Sequence, residues 1–262
     1  MAKRRLDLEI ARRGLAPSRE SAQRMVMAGR VRVDSRPALK SDLKVDEQST
    51  IELVGGPPEY ASRGGLKLTA ALDHFRIDPA GRRALDVGAS TGGFTDVLLR
   101  RGAEHVIALD VGYGQIVERL RRDARVTIVD RTNIRMVRPG DLPYAPELVT
   151  IDVSFISLRL VLPVVVELCA PEFEIVALIK PQFEVGKGKV GKGGVVRDDA
   201  LRRQSVEGIL EFAAELGLEV RSPIESPIRG AAGNIEYLAA MRRKNAGKDQ
   251  AKMPCVKEAK RP

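Results

Sequence analysis

One stretch constrains the fold of this chain more than any other: residues 85–99 read L-D-V-G-A-S-T-G-G-F-T-D-V-L-L. Residues 85–87 are typical of the end of a buried strand, residues 94–101 of a helix, and the small residues between them of a tight turn. In α/β folds, a glycine-rich turn from strand to helix brings free backbone N–H groups close to a nucleotide. The same turn also occurs where no ligand binds, so the choice depends on the rest of the chain.

The charge of the chain indicates a polyanionic partner. Its 262 residues include 44 Lys and Arg against 35 Asp and Glu, a net charge of +9, which favours nucleic acid over a membrane surface. The length suffices for one large α/β domain and a small one. We expect no membrane insertion, because the most apolar stretch, residues 158–168, contains Arg159, Pro163 and Glu167 and is too short to span a bilayer.

The rarer residue types argue against several other classes of protein. The two cysteines lie far apart, and the basic N-terminus is not followed by an apolar segment like that of a signal peptide. We therefore expect a cytoplasmic protein. The two histidines are too few for a metal site with the usual ligand spacing, so no metal is expected.

The pattern of residues 1–56 predicts a small, separate α+β domain. Two short helices are expected, ended by Gly14 and Gly29, with Ser18 capping the second; strands follow at 30–33 and 49–54, with a turn at 34–37. Residues 1–40 carry 11 Lys and Arg against 4 Asp and Glu. Such density is typical of a surface that binds RNA phosphates, and also of a merely solvated surface. The candidate RNA contacts here are Arg4, Arg5, Arg12, Arg19 and Arg30.

The remainder of the chain predicts a linker, a large α/β domain and a tail. Residues 57–64 form the linker, residues 65–243 the domain, and residues 244–262 a basic tail expected to be disordered. Helices are expected at 65–76, 158–169 and 198–216. A first strand is expected directly after residue 83, and six more at 105–110, 126–130, 148–151, 175–179, 219–222 and 235–241.

Acidic side chains end two of these strands. Asp110 lies 22 residues after Gly88, where nucleotide-binding folds place a carboxylate on ribose hydroxyls, and Asp130, with Asn133 nearby, suits an adenine amino group. The motifs that bind a pyrophosphate or a triphosphate are absent, and acids also suit a cationic ligand such as S-adenosyl-L-methionine. The candidate cofactor contacts are Gly88, Ala89, Ser90, Thr91, Gly92, Phe94, Asp110, Asp130, Asn133 and Asp152.

Two further strands lead into Asp152 and Lys180. Ligands of open α/β sheets bind beyond the carboxyl ends of the strands, so we expect both side chains at one crevice. After Lys180, residues 184–196 contain three lysines and five glycines. This segment is either a loop that closes over RNA, with Lys187 and Lys189 as contacts, or a solvated linker.

Several motifs resemble those of known families. The N-terminal residues resemble the S4 RNA-binding domain in R-L-D (5–7), S-R-E-S-A (18–22) and G-R-V-R-V-D (29–34), which implies a structured RNA partner. Nearly all of residues 1–243 resemble the TlyA family of ribosomal RNA 2′-O-methyltransferases. The motifs are S-R-G-G-L-K-L (62–68), the stretch at 85–95, D-V-G-Y-G-Q (110–115), D-V-S-F-I-S-L (152–158), K-P-Q-F-E-V-G-K-G (180–188) and G-N-I-E-Y (233–237).

This resemblance implies a class I, Rossmann-like methyltransferase domain, with a seven-stranded, mostly parallel sheet whose last strand is antiparallel. The implied cofactor is S-adenosyl-L-methionine, the implied partner ribosomal RNA or a ribosomal subunit, and the implied acceptor a cytidine ribose. Chain length and the N-terminal domain are those of the branch that acts on both 16S and 23S rRNA. Residues 59–61, E-Y-A, depart from the Arg-Ala-Trp-type linker of some members.

The wider FtsJ-like relatives carry a Lys-Asp-Lys-Glu tetrad, which matches Lys67, Asp152, Lys180 and Glu236 here. A 2′-hydroxyl is a poor nucleophile, so its proton must be removed or shared as the methyl group arrives. Either neutral Lys180 takes that proton, or charged Lys180 stabilises the developing alkoxide while Asp152 accepts the proton or orients the lysine. Both remain open at this point.

The aromatic residues near the tetrad are interpreted conservatively. Phe155 and Phe183 are suited to holding the cytidine, but we expect them to pack, as we expect Phe94 and Tyr113 to lie in the core or the pocket wall. Two other functions remain: a non-catalytic RNA-binding or ribosome-assembly factor, and a membrane-acting haemolysin, a label that some family members carry. The sequence leaves the oligomeric state open.

Overall fold

The structure is a computed structural model that describes residues 3–16, 18–27, 29–38, 40–54, 59–186, 188–191, 193–230 and 232–244. Two expectations concern residues outside these ranges. The candidate RNA contact Lys187 and most of the expected tail, residues 245–262, lie outside the described residues.

The N-terminal domain consists of two helices and two small sheets. Its elements are β1 (Arg4–Arg5), α1 (Leu6–Arg12), α2 (Arg19–Met27), β2 (Val31–Val33), β3 (Arg36–Pro37), β4 (Lys44–Val45) and β5 (Ile51–Leu53). Strand β1 pairs with β4, and the second sheet has the order β3-β2-β5. The core between them is built from Leu6, Ile10, Ala22, Val26, Val31 and Val45. The expected α+β domain is therefore present.

Local signals in this domain behave largely as expected. Ser18 accepts a hydrogen bond from the Ser21 N–H, 3.2 Å from its Oγ, as a capping residue does. The expected turn at 34–37 is shorter than predicted, because Arg36–Pro37 form strand β3. Asp34 and Ser35 make the turn alone, both with positive φ, and the Asp34 carboxylate stabilises it by accepting from the Thr50 N–H at 2.8 Å.

The large domain follows with eight strands and six helices in the described part of the chain. Its elements are α3 (Gly64–Phe75), β6 (Arg83–Val87), α4 (Gly93–Arg100), β7 (His105–Leu109), α5 (Glu118–Arg121), β8 (Val126–Val129), a 3-10 turn (Ile134–Met136), β9 (Leu148–Ile151), α6 (Leu158–Leu168), β10 (Glu174–Ile179), α7 (Pro181–Glu184), α8 (Asp199–Glu215), β11 (Leu218–Val220), β12 (Ile224–Glu225) and β13 (Tyr237–Arg243).

One mostly parallel sheet organises this domain. Its strand order is β11-β13-β10-β9-β6-β7-β8, with the two-residue β12 paired to β13 as an eighth strand. Strands β6 to β10 run parallel to their neighbours among themselves, and β13 is antiparallel to β10. The expected sheet with an antiparallel last strand is confirmed. The seven expected strands form the main path, and the sequence did not predict β12.

The last strand continues further than the sequence predicted. It was expected to begin before Glu236 and end at residue 241, but β13 runs over Tyr237–Arg243. The Arg242 guanidinium lies 2.8 Å from the Glu219 carboxylate on β11. Arg242 and Arg243 lie beyond the expected end of the strand but are part of the sheet, because they pair with the edge strand β11.

Both faces of the sheet are covered, which explains the continuous apolar runs of its strands. In β6, Leu85 and Val87 pack into the cluster on one face, together with Val161 of α6 and Ile209 of α8. Ala84 packs into the cluster on the other face, with residues of α3 and α4. The carboxyl ends of β6 to β10 remain as the open edge.

A carboxyl group lies inside this core. Asp86 in β6 is fully buried, and it accepts hydrogen bonds from Thr95 Oγ1 at 2.7 Å and Thr150 Oγ1 at 2.9 Å. Loss of hydration raises the pKa of Asp86 to about 6, and the two hydroxyls oppose this shift only in part.

Replacing Asp86 with Asn should change how stability depends on pH. A carboxyl with a raised pKa stabilises the fold fully below its ordinary pKa of 3.8, and this contribution disappears as the pH rises through about 6. Asn does not ionise, so Asp86→Asn should gain about 2 kcal/mol relative to the natural protein between pH 4 and pH 7. Urea denaturation at both pH values measures this difference. An equal difference at the two pH values would contradict it.

Candidate active site

The residues after β6 form a cradle of small side chains at the open edge of the sheet. Gly88, Ser90 and Gly92 all have positive φ, and Gly92 caps the N-terminus of α4. A Cβ on Gly88 would lie 2.4 Å from the carbonyl oxygen of Asp152. Glycine is therefore required at residue 88, both by its backbone conformation and by its contact with the neighbouring strand end.

The acids that end β7 and β8 lie beside this cradle. Asp110 accepts from the Ser90 N–H at 2.8 Å and from the Gly112 N–H at 2.7 Å, which joins the cradle to the next loop. Asp130 accepts from the Gly114 N–H at 2.9 Å. Each carboxylate keeps further lone pairs for a ligand. The structure thus brings Asp110 and Asp130 together with the cradle.

Two other candidate cofactor contacts, Asn133 and Phe94, stabilise the fold. The Asn133 side chain is exposed and accepts from the Arg135 N–H at 3.1 Å, so it caps the 3-10 turn. Phe94 is buried in the core cluster beside α3, consistent with a core or wall position. Ala89 and Thr91 lie within the cradle segment itself. Direct contact of these residues with a cofactor stays a prediction.

Four charged side chains form two ion pairs at the same edge, and all but the half-buried Asp152 are buried. Lys180 Nζ lies 2.7 Å from Asp152 Oδ1 and 2.9 Å from Ser154 Oγ, and Lys67 Nζ lies 2.6 Å from Glu236 Oε2. Only 8% of each lysine and 3% of Glu236 is exposed. Buried charges are costly unless they are paired, so within each pair the lysine and the carboxylate hold one another in place.

Four different elements supply these side chains. Asp152 follows β9, Lys180 follows β10, and Glu236 precedes β13, while Lys67 lies on α3. Because Ile179 pairs with Tyr237 across β10 and β13, the next residue outward on each strand reaches the same edge. Residues far apart in the sequence therefore meet through sheet register and one covering helix.

Glu184 is a further residue that sequence reasoning did not single out. Its carboxylate accepts from Ser157 Oγ at 2.5 Å and from the Leu158 N–H at 2.9 Å. It joins the segment after Lys180 to the segment after Asp152, and its burial raises its pKa. The only sequence signal was its place in K-P-Q-F-E, four residues after Lys180.

The prediction that Phe155 packs is wrong. Its side chain is 90% exposed, and its φ of 64° is rare for a bulky residue. Its ring centroid lies 5.1 Å from that of half-buried Phe183, whose ring is also 5.9 Å from Lys180 Nζ. An exposed aromatic residue with a strained backbone, three residues after Asp152, is typical of a functional position.

Tyr113 lies outside the core, so of its two expected positions only the pocket wall remains, and that stays a prediction. It is 67% exposed, and the Arg131 guanidinium stacks 4.1 Å from its ring centroid. Both residues follow the acidic strand ends, in loops joined by a hydrogen bond from the Arg131 N–H to the Gly112 carbonyl. Their apolar and cationic surfaces face solvent at the open edge.

The candidate RNA contacts of the N-terminal domain gather around two buried carboxylates. Arg5 and Arg19 bind fully buried Asp7 at 3.0 and 3.1 Å, and Arg12 binds Glu9 at 2.7 Å. These arginines hold the pKa of Asp7 below its usual range and lower that of Glu9 to about 2. Arg4 lies 3.7 Å from Glu9. The ordered arginines keep exposed surface, and their contact with RNA stays a prediction, as it does for Arg30 and exposed Lys189.

Within the described ranges, no three His, Cys, Asp or Glu side chains are grouped as metal ligands would be. In the same part of the chain, no helix is long and apolar enough to cross a bilayer.

The fold and a family model together place the chain in the class of methyltransferases. A putative S-adenosylmethionine dependent methyltransferase from Listeria monocytogenes shares the fold, with a TM-score of 0.51 over 70% of this chain and 99% of that chain at 14% identity. The model of the FtsJ-like methyltransferase family matches residues 60–243, and that of the S4 domain matches residues 4–51. The chain therefore belongs to the FtsJ-like methyltransferase family and carries an S4 domain.

Nearer relatives cover almost the whole chain. The 16S/23S rRNA (cytidine-2′-O)-methyltransferase TlyA of Mycobacterium tuberculosis is 49% identical over 92% of this chain and 91% of that protein. The Hemolysin A of Brachyspira hyodysenteriae is 41% identical over 90% of this chain and 98% of that protein. The structure of a putative hemolysin from Streptococcus thermophilus matches with a TM-score of 0.74 and 41% identity, over 94% of this chain and 90% of that chain.

The close approach of Gly88 to Asp152 can be tested with a matched pair of substitutions. Gly88→Ala and Gly81→Ala both place a side chain at positive φ, at a cost of about 1–2 kcal/mol. Only the Cβ at residue 88 meets backbone within 4 Å, so Gly88→Ala should lose a further 1–3 kcal/mol or so through overpacking. Urea denaturation compares the two variants, and equal losses would refute the steric argument.

Proposed function

We propose that this chain transfers a methyl group from S-adenosyl-L-methionine to the ribose 2′-hydroxyl of a cytidine in ribosomal RNA. The observation that carries the proposal is the ion pair of buried Lys180 with half-buried Asp152, which lies beside the glycine cradle at the open edge of the sheet. The S4 domain supplies a second, basic surface for RNA. The relative at 49% identity is named as a methyltransferase of both 16S and 23S rRNA, and we propose the same two substrates for this chain. Because ribosomes are cytoplasmic, we also propose that it acts in the cytoplasm.

The residues at the cradle fit the proposed cofactor. Asp110 and Asp130 are suited to hold ribose hydroxyls and the adenine amino group, because both carboxylates lie at the strand ends beside the cradle. Asp110 accepts from the Ser90 N–H and Asp130 from the Gly114 N–H. When bound, S-adenosyl-L-methionine supplies a methyl group on a positively charged sulfur. The surrounding acids suit that charge, and the chain needs no pyrophosphate motif.

The tetrad residues prepare the acceptor oxygen. Lys180 Nζ donates to Asp152 and to Ser154, and an ammonium group has a third N–H for the ribose 2′-oxygen. These contacts favour the version in which charged Lys180 stabilises the developing alkoxide. Asp152 then orients Lys180 and accepts the proton, and the Lys67–Glu236 pair lies at the same edge of the sheet.

Substitution of Lys180 separates the two versions of the mechanism. Lys180→Ala removes the charge and should slow single-turnover methylation by about 10²- to 10⁴-fold. Arg is always charged and does not act as a base near neutral pH, so Lys180→Arg should retain a measurable rate if charge stabilisation operates. Transfer of tritiated methyl groups to isolated ribosomal subunits measures both rates.

The outcomes of this experiment are distinct. Filter binding of RNA serves as the control, because neither substitution should weaken it more than about twofold. An inactive Lys180→Arg with normal RNA binding would favour the neutral lysine as base. No transfer by the natural protein would favour a non-catalytic RNA-binding factor.

Phe155 is placed to stack on the base of the target nucleotide. Its exposed ring and neighbouring Phe183 form an aromatic surface beside Lys180, and stacking on a base contributes about 1–3 kcal/mol. Phe155→Ala should therefore raise the KM for RNA or lower kcat by roughly 5- to 150-fold in all, whereas Phe155→Tyr should be nearly as active as the natural protein.

Thermal denaturation distinguishes this role from a structural one. A ring that is 90% exposed contributes little to the core, so Phe155→Ala should unfold at the same temperature as the natural protein. A large loss of stability together with loss of activity would show that the ring acts through packing instead.

The relative named Hemolysin A raises a second candidate function, membrane lysis. Release of dye from liposomes tests it directly. Leakage at protein concentrations that methylate ribosomal subunits would support lysis, and intact liposomes at those concentrations would exclude it.

A further inference from the structure

The Glu236 carboxylate is enclosed by three different parts of the chain. Lys67 Nζ lies 2.6 Å from its Oε2, and Gln182 Nε2 lies 3.4 Å from its Oε1. The third contact is the backbone of Gly230, directly beside Oε1. Only 3% of Glu236 is exposed, so this enclosure leaves its carboxylate few alternative positions.

Gly230 makes room for the carboxylate. A Cβ on Gly230 would lie 2.4 Å from Glu236 Oε1 and 2.9 Å from its Cδ, far inside van der Waals contact. The φ of Gly230 is not positive, so its backbone conformation is also open to other residues. Space for Glu236, rather than backbone conformation, is what requires glycine here.

The loop that carries Gly230 is tied to the start of β13. The Gly230 N–H donates to the Asn234 carbonyl at 2.9 Å, and the Ser226 N–H donates to the Glu236 carbonyl at 2.8 Å. The buried Asn234 side chain also accepts from the Val196 N–H at 3.0 Å. The loop therefore cannot simply retreat if a side chain appears at residue 230.

Gln182 is held in an orientation that leaves one of its own atoms unpaired. Its Oε1 is buried and has no hydrogen-bond partner in the described part of the chain. Such orphans are uncommon in native proteins, because a lost hydrogen bond is not compensated by water. The opposite amide orientation would place Oε1 against the Glu236 carboxylate, so donation to Glu236 determines the orientation.

We propose that Gly230 and Gln182 are positioning residues that hold the Glu236 carboxylate against Lys67 in the tetrad. This inference rests on the proposed methyltransferase function. Displacing Glu236 leaves the Lys67 ammonium without its partner, at the sheet edge where Lys180 and Glu236 adjoin the paired residues Ile179 and Tyr237. The distribution of charge around the acceptor oxygen would then differ.

Two variants test this proposal through single-turnover methylation. Gly230→Ala pushes Glu236 away from Lys67 and should slow methyl transfer by about 10- to 100-fold, as small displacements of catalytic groups do. Gln182→Met keeps the volume but removes the donor, and should slow it about three- to tenfold. The dissociation constants for RNA and S-adenosyl-L-methionine should change less than about twofold, because the change acts on the chemical step.

Gly208→Ala is the matched control. Gly208 also lacks positive φ, and its Cβ would meet only the flexible end of Arg159, at 3.1 Å. It lies within α8, where Ala is favoured. Its rate should equal that of the natural protein.

A double-mutant cycle shows whether Gly230 acts through Glu236. Glu236→Ala vacates the space that the new methyl group needs, so Gly230→Ala should lower the urea midpoint of the natural protein but not that of Glu236→Ala. Coupled midpoints with a slower rate and unchanged binding support the proposal. Additive midpoints, or Gly230→Ala and Gln182→Met rates equal to that of Gly208→Ala, overturn it. Absence of methyl transfer by the natural protein instead refutes the proposed function.

Discussion

The contact between Gly88 and the Asp152 carbonyl is the constraint on which the site depends. It joins the cradle after β6 to the strand end that carries one member of the tetrad, at a distance that excludes any Cβ. The register of the sheet makes this contact possible, because Val87 pairs with Ile151 in parallel neighbours. The proposed donor and acceptor sites are consequently parts of one rigid edge, which a transfer between two bound molecules requires.

Two ion pairs with little exposure to solvent are costly to maintain at that edge. Lys67, Lys180 and Glu236 are buried and Asp152 is half-buried, and the attraction within each pair compensates the loss of hydration only when the geometry is good. Lys180 has two acceptors, and Glu236 has a lysine, an amide and the close backbone of Gly230 around it. Such an arrangement adds little to stability compared with apolar residues of similar size. Its value lies in presenting charges that do not have to reorganise during a reaction.

Local patterns predicted much of the fold for physical reasons that operate within a few residues. Ser18 and the glycines that end helices act through backbone groups of their own turn, and the apolar runs follow from strands buried on both faces. The error at Phe155 has a different origin. Phe155 was expected to pack because aromatic residues usually do, but burial depends on which neighbours the folded chain brings near.

The arginines of the N-terminal domain illustrate the same limit. Counting charges along the sequence showed an excess of basic residues but not that Asp7 and Glu9 are buried beneath them. Sequence separation conceals such contacts, since Arg19 reaches Asp7 from another helix. The folded domain therefore presents arginines that are already ordered, with part of their charge balanced.

The sequence alone determined the family, and it predicted the two domains, the cradle and the four tetrad residues, because each of these features depends on short motifs that are contiguous in the chain. Only the tertiary structure decided how the tetrad divides into pairs, Lys180 with Asp152 and Lys67 with Glu236. It also decided the roles open to Glu184, Gln182 and Gly230, none of which has a chemical signature of its own. Their importance arises from distances between elements, and the register of the sheet and the packing of α3 set those distances.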